Sequence, residues 1–249
     1  MIPTLLLVSG LLAQISGAVP LSKKEADYPE TLKMAQKQGN VLLIARMDRQ
    51  GRLQNVSPVA ASDQGFIDPA LAAVATWRFK PAMKDGSPIE IAANLSLRFR
   101  LQLTGKKGNL PRPMLGDLSV SPADQAGKAT APEGFPVRRG ADPKIAVESL
   151  LDVGLNPSAH TVPLSVEAWS PSGRRVTVYS DSLLVPANAT ELKVSFSVPV
   201  AADWEDGVWI LRFFLSGEDA GGGQFWLAKD PSKFDFAAKM PKPKAGRKS

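Results

Sequence analysis

Between Ile89 and Leu103 the apolar residues Ile89, Ile91, Ala93, Leu95, Leu97, Phe99, Leu101 and Leu103 alternate with mainly polar neighbours. A period of two sustained over that length cannot form one face of a helix; it makes a strand with one buried face. The opposite face carries Glu90, Asn94, Ser96, Arg98, Arg100 and Gln102, which stand in water or against another surface. Asp85-Gly86 supplies a turn ahead of the strand, and Phe79 and Pro81 leave a helix in extended form just before it.

The residues upstream provide partners for that strand. "DYPETLKMAQKQGN" reads as a helix, with Pro29 at the first helical position, Gly39 as its stop, and Tyr28, Leu32 and Ala35 at helical spacing. "VLLIARMDRQGRLQNVSPVA" reads as a hairpin turning at Asp48 to Gly51, with Val41, Leu43, Ala45 and Met47 on one face. In "IDPALAAVATW" Asp68 can cap a second helix, and Ile67, Leu71 and Val74 share its inner side. Residues 26–104 are therefore expected to form an α+β domain, two helices on an antiparallel sheet.

Residues 105–134 are rich in Gly, Pro, Ala and Ser and read as a linker. From 135 to 230 the pattern is all-β, with strands expected at 145–152, 162–169, 174–184, 192–198, 208–215 and 224–228; this spacing suggests an immunoglobulin-like sandwich. The tail, 231–249, ends in "KMPKPKAGRKS", which holds Lys239, Lys242, Lys244, Arg247 and Lys248, and is expected to be disordered and able to touch acidic surfaces. Most of the net charge of +6 resides there, so the charge does not mark a nucleic-acid-binding face. Residues 1–18 combine an apolar run with the small residues Ser16, Gly17 and Ala18, the pattern of a secretory signal peptide.

The catalytic vocabulary is thin. The chain has no cysteine and one histidine, His160, which excludes thiolate sites and multi-histidine metal cages; no cofactor is expected and the protein reads as non-enzymatic. Gly217 to Phe225 is glycine-rich but lacks the lysine and helix of a phosphate loop, so it reads as a flexible hairpin loop. Asp203, Glu205 and Asp206 read as an ordinary turn rather than a calcium loop. Trp209 and Trp226 are expected to be neighbours on one sheet, and Trp204 to be the exposed member of the tryptophan group.

Taken in order, "YPE" with Tyr28 and Pro29, Gly39 before a strand, "DRQGRL" with Gly51, "IDPALAAVATWRFKPA" with Trp77, Phe79 and Pro81, and "DGSPI" with Gly86 resemble the C-terminal domain of TonB. The resemblance implies that Trp77 and Phe79 form a core corner. It also implies that the last strand offers an edge to which an extended segment of a protein partner, such as an outer-membrane receptor or another envelope protein, adds by main-chain pairing. It makes Asn94, Ser96, Arg98, Arg100 and Gln102 the candidate partner-binding residues. The same edge can pair with a second copy of the chain. About nine residues separate Ala18 from Tyr28, a reach of at most ~35 Å. A periplasmic binding or scaffold protein is therefore expected, rather than an energy transducer spanning the envelope. The alternatives are an accessory of energised outer-membrane transport, or a cell-wall or membrane-surface binder using the sandwich and tail.

Overall fold

The computed structural model describes residues 14–101, 113–153 and 157–231. The first unit runs through the strands β1 (Ile15–Ser16) and β2 (Val19–Ser22), helix α1 (Glu30–Met34), strands β3 (Gly39–Met47) and β4 (Leu53–Ala61), and helix α2 (Ile67–Ala75). It closes with β5 (Arg78–Lys80), β6 (Met83–Lys84), β7 (Ser87–Pro88) and the alternating strand, β8 (Ile91–Phe99). Its main sheet has the order β4-β3-β8. Val41 pairs with Leu97, Leu43 with Leu95, Ala45 with Ala93 and Met47 with Ile91, so both apolar series lie on one face. Leu32, Phe66, Ala70, Val74, Trp77 and Phe79 cover that face and complete its core.

Several fold-defining residues act as expected. Trp77 and Phe79 are buried, and the Trp77 indole N–H donates to the Lys24 carbonyl at 2.8 Å. Tyr28 stands edge-on to Phe66 and Phe99. Gly51 has φ +74°, and a Cβ there would lie 1.9 Å from the Phe79 oxygen. Asp85 and Gly86 both have positive φ, 51° and 76°, as a tight hairpin turn requires.

The helix termini differ from expectation. Pro29 is the N-cap of α1 rather than its first residue, and α1 stops at Met34, well before Gly39. Gly39 instead opens β3 beside Ser62, whose Oγ would be 1.6 Å from an added Cβ. Asp63, not Asp68, supplies a side-chain cap, accepting from the Gly65 amide at 3.0 Å at the start of the short 3-10 turn that leads into α2.

Residues 14–18, which the sequence pattern assigns to a leader, are part of the fold; residues 1–13 lie outside the described residues, as does the tail from 232. Ile15 and Ser16 pair with Lys84 and Met83. Gln14 and Asp85 exchange two hydrogen bonds, at 2.9 and 3.2 Å.

The second unit comprises β9 (Met114–Ala123), β10 (Val137–Arg138), β11 (Lys144–Asp152), β12 (His160–Trp169), β13 (Arg175–Val185), β14 (Glu191–Pro199), β15 (Gly207–Leu215) and β16 (Glu218–Ala228). One sheet has the order β10-β16-β15-β12-β13 and the other β14-β11-β9, and the two share one core. The stretch 105–134 is not a linker throughout. Met114–Ala123 pairs along the whole of β11, and Leu115, Leu118 and Val120 face the core. Its Pro122 is tolerated because β9 is an edge strand, where a missing N–H costs little.

The glycine-rich stretch is also not a flexible loop: Gly221, Gly222 and Gly223 lie inside β16 and are buried. They let β16 lie close to the first unit and to its own neighbours β15 and β9. An added Cβ would lie 2.4 Å from Leu42 at Gly221, 2.0 Å from the Leu211 carbonyl oxygen at Gly222, and 2.5 Å from Leu118 at Gly223. The main sheet of the first unit is therefore covered on both faces, by its helices on one side and by β16 and β9 on the other. Trp209 points into the sandwich core, stacked on Trp204 and Phe225. Trp226 occupies the adjacent register position, opposite Val208, so it faces the other way and packs on Ala92 of β8. Trp204, expected to be exposed, is 3% exposed.

Candidate functional site: the outer edge of the last strand of the first unit

The side chains expected to bind a partner are engaged within the chain. The Asn94 amide group donates to the Gln224 carbonyl at 3.1 Å and accepts from the Gln224 amide at 2.8 Å, reproducing across the unit boundary the two bonds of a strand pair. Ser96 Oγ donates to the Gly116 carbonyl. Arg98 is held by Asp117 at 2.6 Å and Glu191 at 2.7 Å. Arg100 donates to Gly39 O, Asn40 Oδ1 and Asp152 Oδ2, each at 2.9 Å, and Asn40 in turn donates to Asp152. Gln102 lies outside the described residues. The polar face of β8 is thus a surface turned against another surface, one belonging to the same chain.

The backbone of β8 has a different fate. Its register with β3 is continuous from Met47↔Ile91 to Gly39↔Phe99. Ala92 donates its amide away from β3, to the Gly134 carbonyl at 2.9 Å. In an antiparallel ladder successive residues alternate between the two sides, so the amides of Asn94, Ser96 and Arg98 share the outer side with Ala92. Among the described residues no strand pairs with that side. Gly134 therefore closes the start of the edge, and its middle has no strand partner among the described residues. Gly134 needs its φ of +78°, because a Cβ there would meet the Ala92 oxygen at 2.0 Å.

A groove of about 380 Å³ runs beside this edge, bounded by Lys23, Trp77, Asn94 to Ser96, Asp117 to Ser119 and Glu133. Lys23 Nζ sits 4.9 Å from the Trp77 ring centroid, a cation–π contact on its wall. Loss of hydration raises the Glu133 carboxyl above the ordinary range, against the lowering effects of a hydrogen bond from Ser119 and the charge of Lys23. Glu148 at the far rim pairs with Lys193 at 3.1 Å. The wall therefore mixes apolar side chains with neutral polar groups and carboxylates, and its two lysines contact Trp77 and Glu148.

Sequence reasoning missed Ala92, Gly134, Lys23 and Glu133. Gly134 and Glu133 lie in the segment read as linker, and only the fold places them against β8. A larger hollow of about 930 Å³ lies between the two units near Arg49, Lys84, Arg138 and Asp142. Of its charged lining, Arg138 pairs with Asp142, while Glu90 and Arg139 pair with Arg46 and Asp206 outside it. The other acidic groups are structural. Asp203 pairs with Arg174, Glu205 accepts from Ser172, and Asp206 lies 3.0 Å from Arg139. His160 is exposed at the start of β12, with Nδ1 3.2 Å from the Ser158 carbonyl. No cluster of three candidate metal ligands occurs among the described residues.

The fold is an α+β module, whose β8 has no strand partner on its outer side among the described residues, joined to a two-sheet β unit. Residues 24–101 match the family model of the Gram-negative bacterial TonB protein C-terminal, so this part of the chain is a TonB C-terminal-like domain. The solution structure of the Pseudomonas aeruginosa TonB C-terminal domain is 21% identical and aligns over 35% of this chain and 90% of its own, with a TM-score of 0.32. The DNA-bound alkylpurine DNA glycosylase AlkC of Pseudomonas fluorescens is 15% identical over 49% of this chain and 32% of its own, with a TM-score of 0.34. Neither score carries an argument about function. No curated protein matches the chain.

Proposed function

We propose that this is a non-enzymatic binding protein of the bacterial periplasm that holds an extended segment of a partner protein by strand addition to the outer edge of β8. The observation carrying this reading is the open middle of that edge: the Asn94, Ser96 and Arg98 amides face outward, Gly134 closes only its start, and a groove lies beside it. Main-chain pairing supplies affinity, and the groove supplies room for alternate side chains of the added strand. The second unit, which we read as an immunoglobulin-like sandwich, locks the opposite face of the sheet so that the edge is presented rigidly. Secretion across the inner membrane accords with the apolar N-terminal sequence and the TonB-like domain. The partner is an envelope protein, and an outer-membrane receptor is one member of that class.

A photo-reactive residue in place of Lys23, beside the groove, is expected to capture a protein from the intact envelope, while the same residue in place of Leu184 on β13 is not. Proline at Ser96 should abolish the capture, because it removes an outward donor while leaving the pairing to β3 intact. Equal capture at both positions, or capture undiminished in a folded Ser96→Pro variant, would overturn the proposal.

A further inference from the structure

The hollow between the two units is built differently from the groove beside β8. Ile15, Ile89 and Ala131 border the core of the first unit there, and Val200 and Ala201 border that of the second; all five are half-buried and line the hollow. The two cores stop short of each other at this place, and each leaves apolar surface turned toward the gap. At about 930 Å³ the space is of the size that holds a small organic ligand. Its half-buried apolar groups are aliphatic, whereas the one aromatic ring in the lining, Phe135, is buried.

Its charges give that space a sign. Arg138 is neutralised by Asp142 within the lining, and Glu90 and Arg139 by Arg46 and Asp206 from outside it. That leaves Arg49 and Lys84, neither ion-paired among the described residues, against the carboxylate of Asp124, a surplus of one positive charge. Asp124 Oδ1 accepts from the Lys128 amide at 2.9 Å, so this carboxylate is already held by its own loop. Lys84 is the register partner of Ile15 in the β1–β6 ladder, and directly opposed residues project from the same face, so the cation stands beside an apolar side chain. An aliphatic wall with one uncompensated cation fits an apolar body that carries a single negative charge: the body covers the wall, and the head exchanges water for Arg49 and Lys84.

We propose that the hollow is a binding site for a small amphipathic anion, an alkyl carboxylate in chemical class, with its head at Arg49 and Lys84 and its chain between the apolar margins of the two units. The bound ligand joins the two cores, so occupancy raises the melting temperature of the whole chain. The site uses no residue of the β8 edge and is independent of what that edge holds.

Calorimetric titration of the full-length protein with decanoate, kept below its micellar range, is expected to show saturable binding accompanied by a rise in Tm. 1-Decanol keeps the chain and lacks the charge, so it should bind at least about tenfold more weakly, the loss expected for one charge-assisted contact. Acetate, a head without a body, should not bind detectably. Arg49→Gln combined with Lys84→Gln should weaken decanoate by at least about tenfold and leave 1-decanol unchanged. Ala202→Trp adds bulk at an exposed position of the lining and should weaken both. Lys33→Gln, on α1 and outside the lining, should change neither. Absence of decanoate binding, equal affinity for 1-decanol, or binding unaffected by Ala202→Trp would each overturn the proposal. So would a loss in Lys33→Gln as large as that in the double variant.

Discussion

Arg100→Ala should lower the stability of the protein by about 3 kcal/mol, the low end of the range for stripping a buried charge of its partner. The Asp152 side chain is 4% exposed, and Arg100 is the only cation ion-paired with it among the described residues. Without the guanidinium, the carboxylate retains the Asn40 amide but no compensating charge. Asp152→Ala should be milder, about 1–2 kcal/mol, because the Arg100 side chain is 37% exposed and can recover water when its partner is lost. Urea unfolding of both variants and the double variant measures the asymmetry and the coupling between the two sites. If Arg100 served a partner instead, its removal would leave stability unchanged and weaken capture. Because Asp152 belongs to β11 and Asn40 to β3, the triad also reports whether the two units unfold together.

A larger loss is expected for Gly222→Val. The Cβ would lie 2.0 Å from the Leu211 oxygen and 3.1 Å from its carbon, and both are backbone atoms of the neighbouring strand that cannot move without opening the sheet. Overpacking of this kind costs more than about 3 kcal/mol, which for a chain of this size lowers Tm by roughly 10 °C. Gly86→Ala makes an informative contrast. Nothing lies within 4 Å of its added Cβ, so only the backbone strain at φ +76° remains, about 1 kcal/mol. Thermal melts of the two variants separate a steric role for glycine from a conformational one. Similar losses in both would mean that β16 is looser than its packing on β15 and on the first unit implies.

The features legible in the sequence were those with a period or a turn signal. The alternation of Ile91 through Phe99 gave both the strand and its buried face, because every second side chain lands in the same core as Val41, Leu43, Ala45 and Met47. The starts and ends of β11 to β15 followed the Pro, Gly and Asn punctuation to within two residues. The approach of the two units left no such signal. Asn94 meets Gln224 across 130 residues of chain, and nothing in the alternation distinguishes a polar face in water from one satisfied by another sheet. Glycine misled for a related reason. In 217–225 it reads locally as flexibility, whereas β16 uses it to let Leu42, Leu118 and the β15 backbone come close. The sequence reading expected main-chain pairing along β8, but the polar side chains it named there are engaged within the chain. The outward amides became evident only from the Ala92–Gly134 bond, which no local pattern foretells.

Amide hydrogen exchange along β8, read residue by residue by NMR, tests the central claim most directly. Because the amides of Ala93, Leu95 and Leu97 pair with β3 while those of Asn94, Ser96 and Arg98 face the outer side, protection should alternate, slow and fast, along the strand. The fast amides should become slow when a captured partner segment is added. Uniform protection from Ala93 to Arg98 in the free protein would mean that the edge is already occupied, and would contradict strand addition as its function.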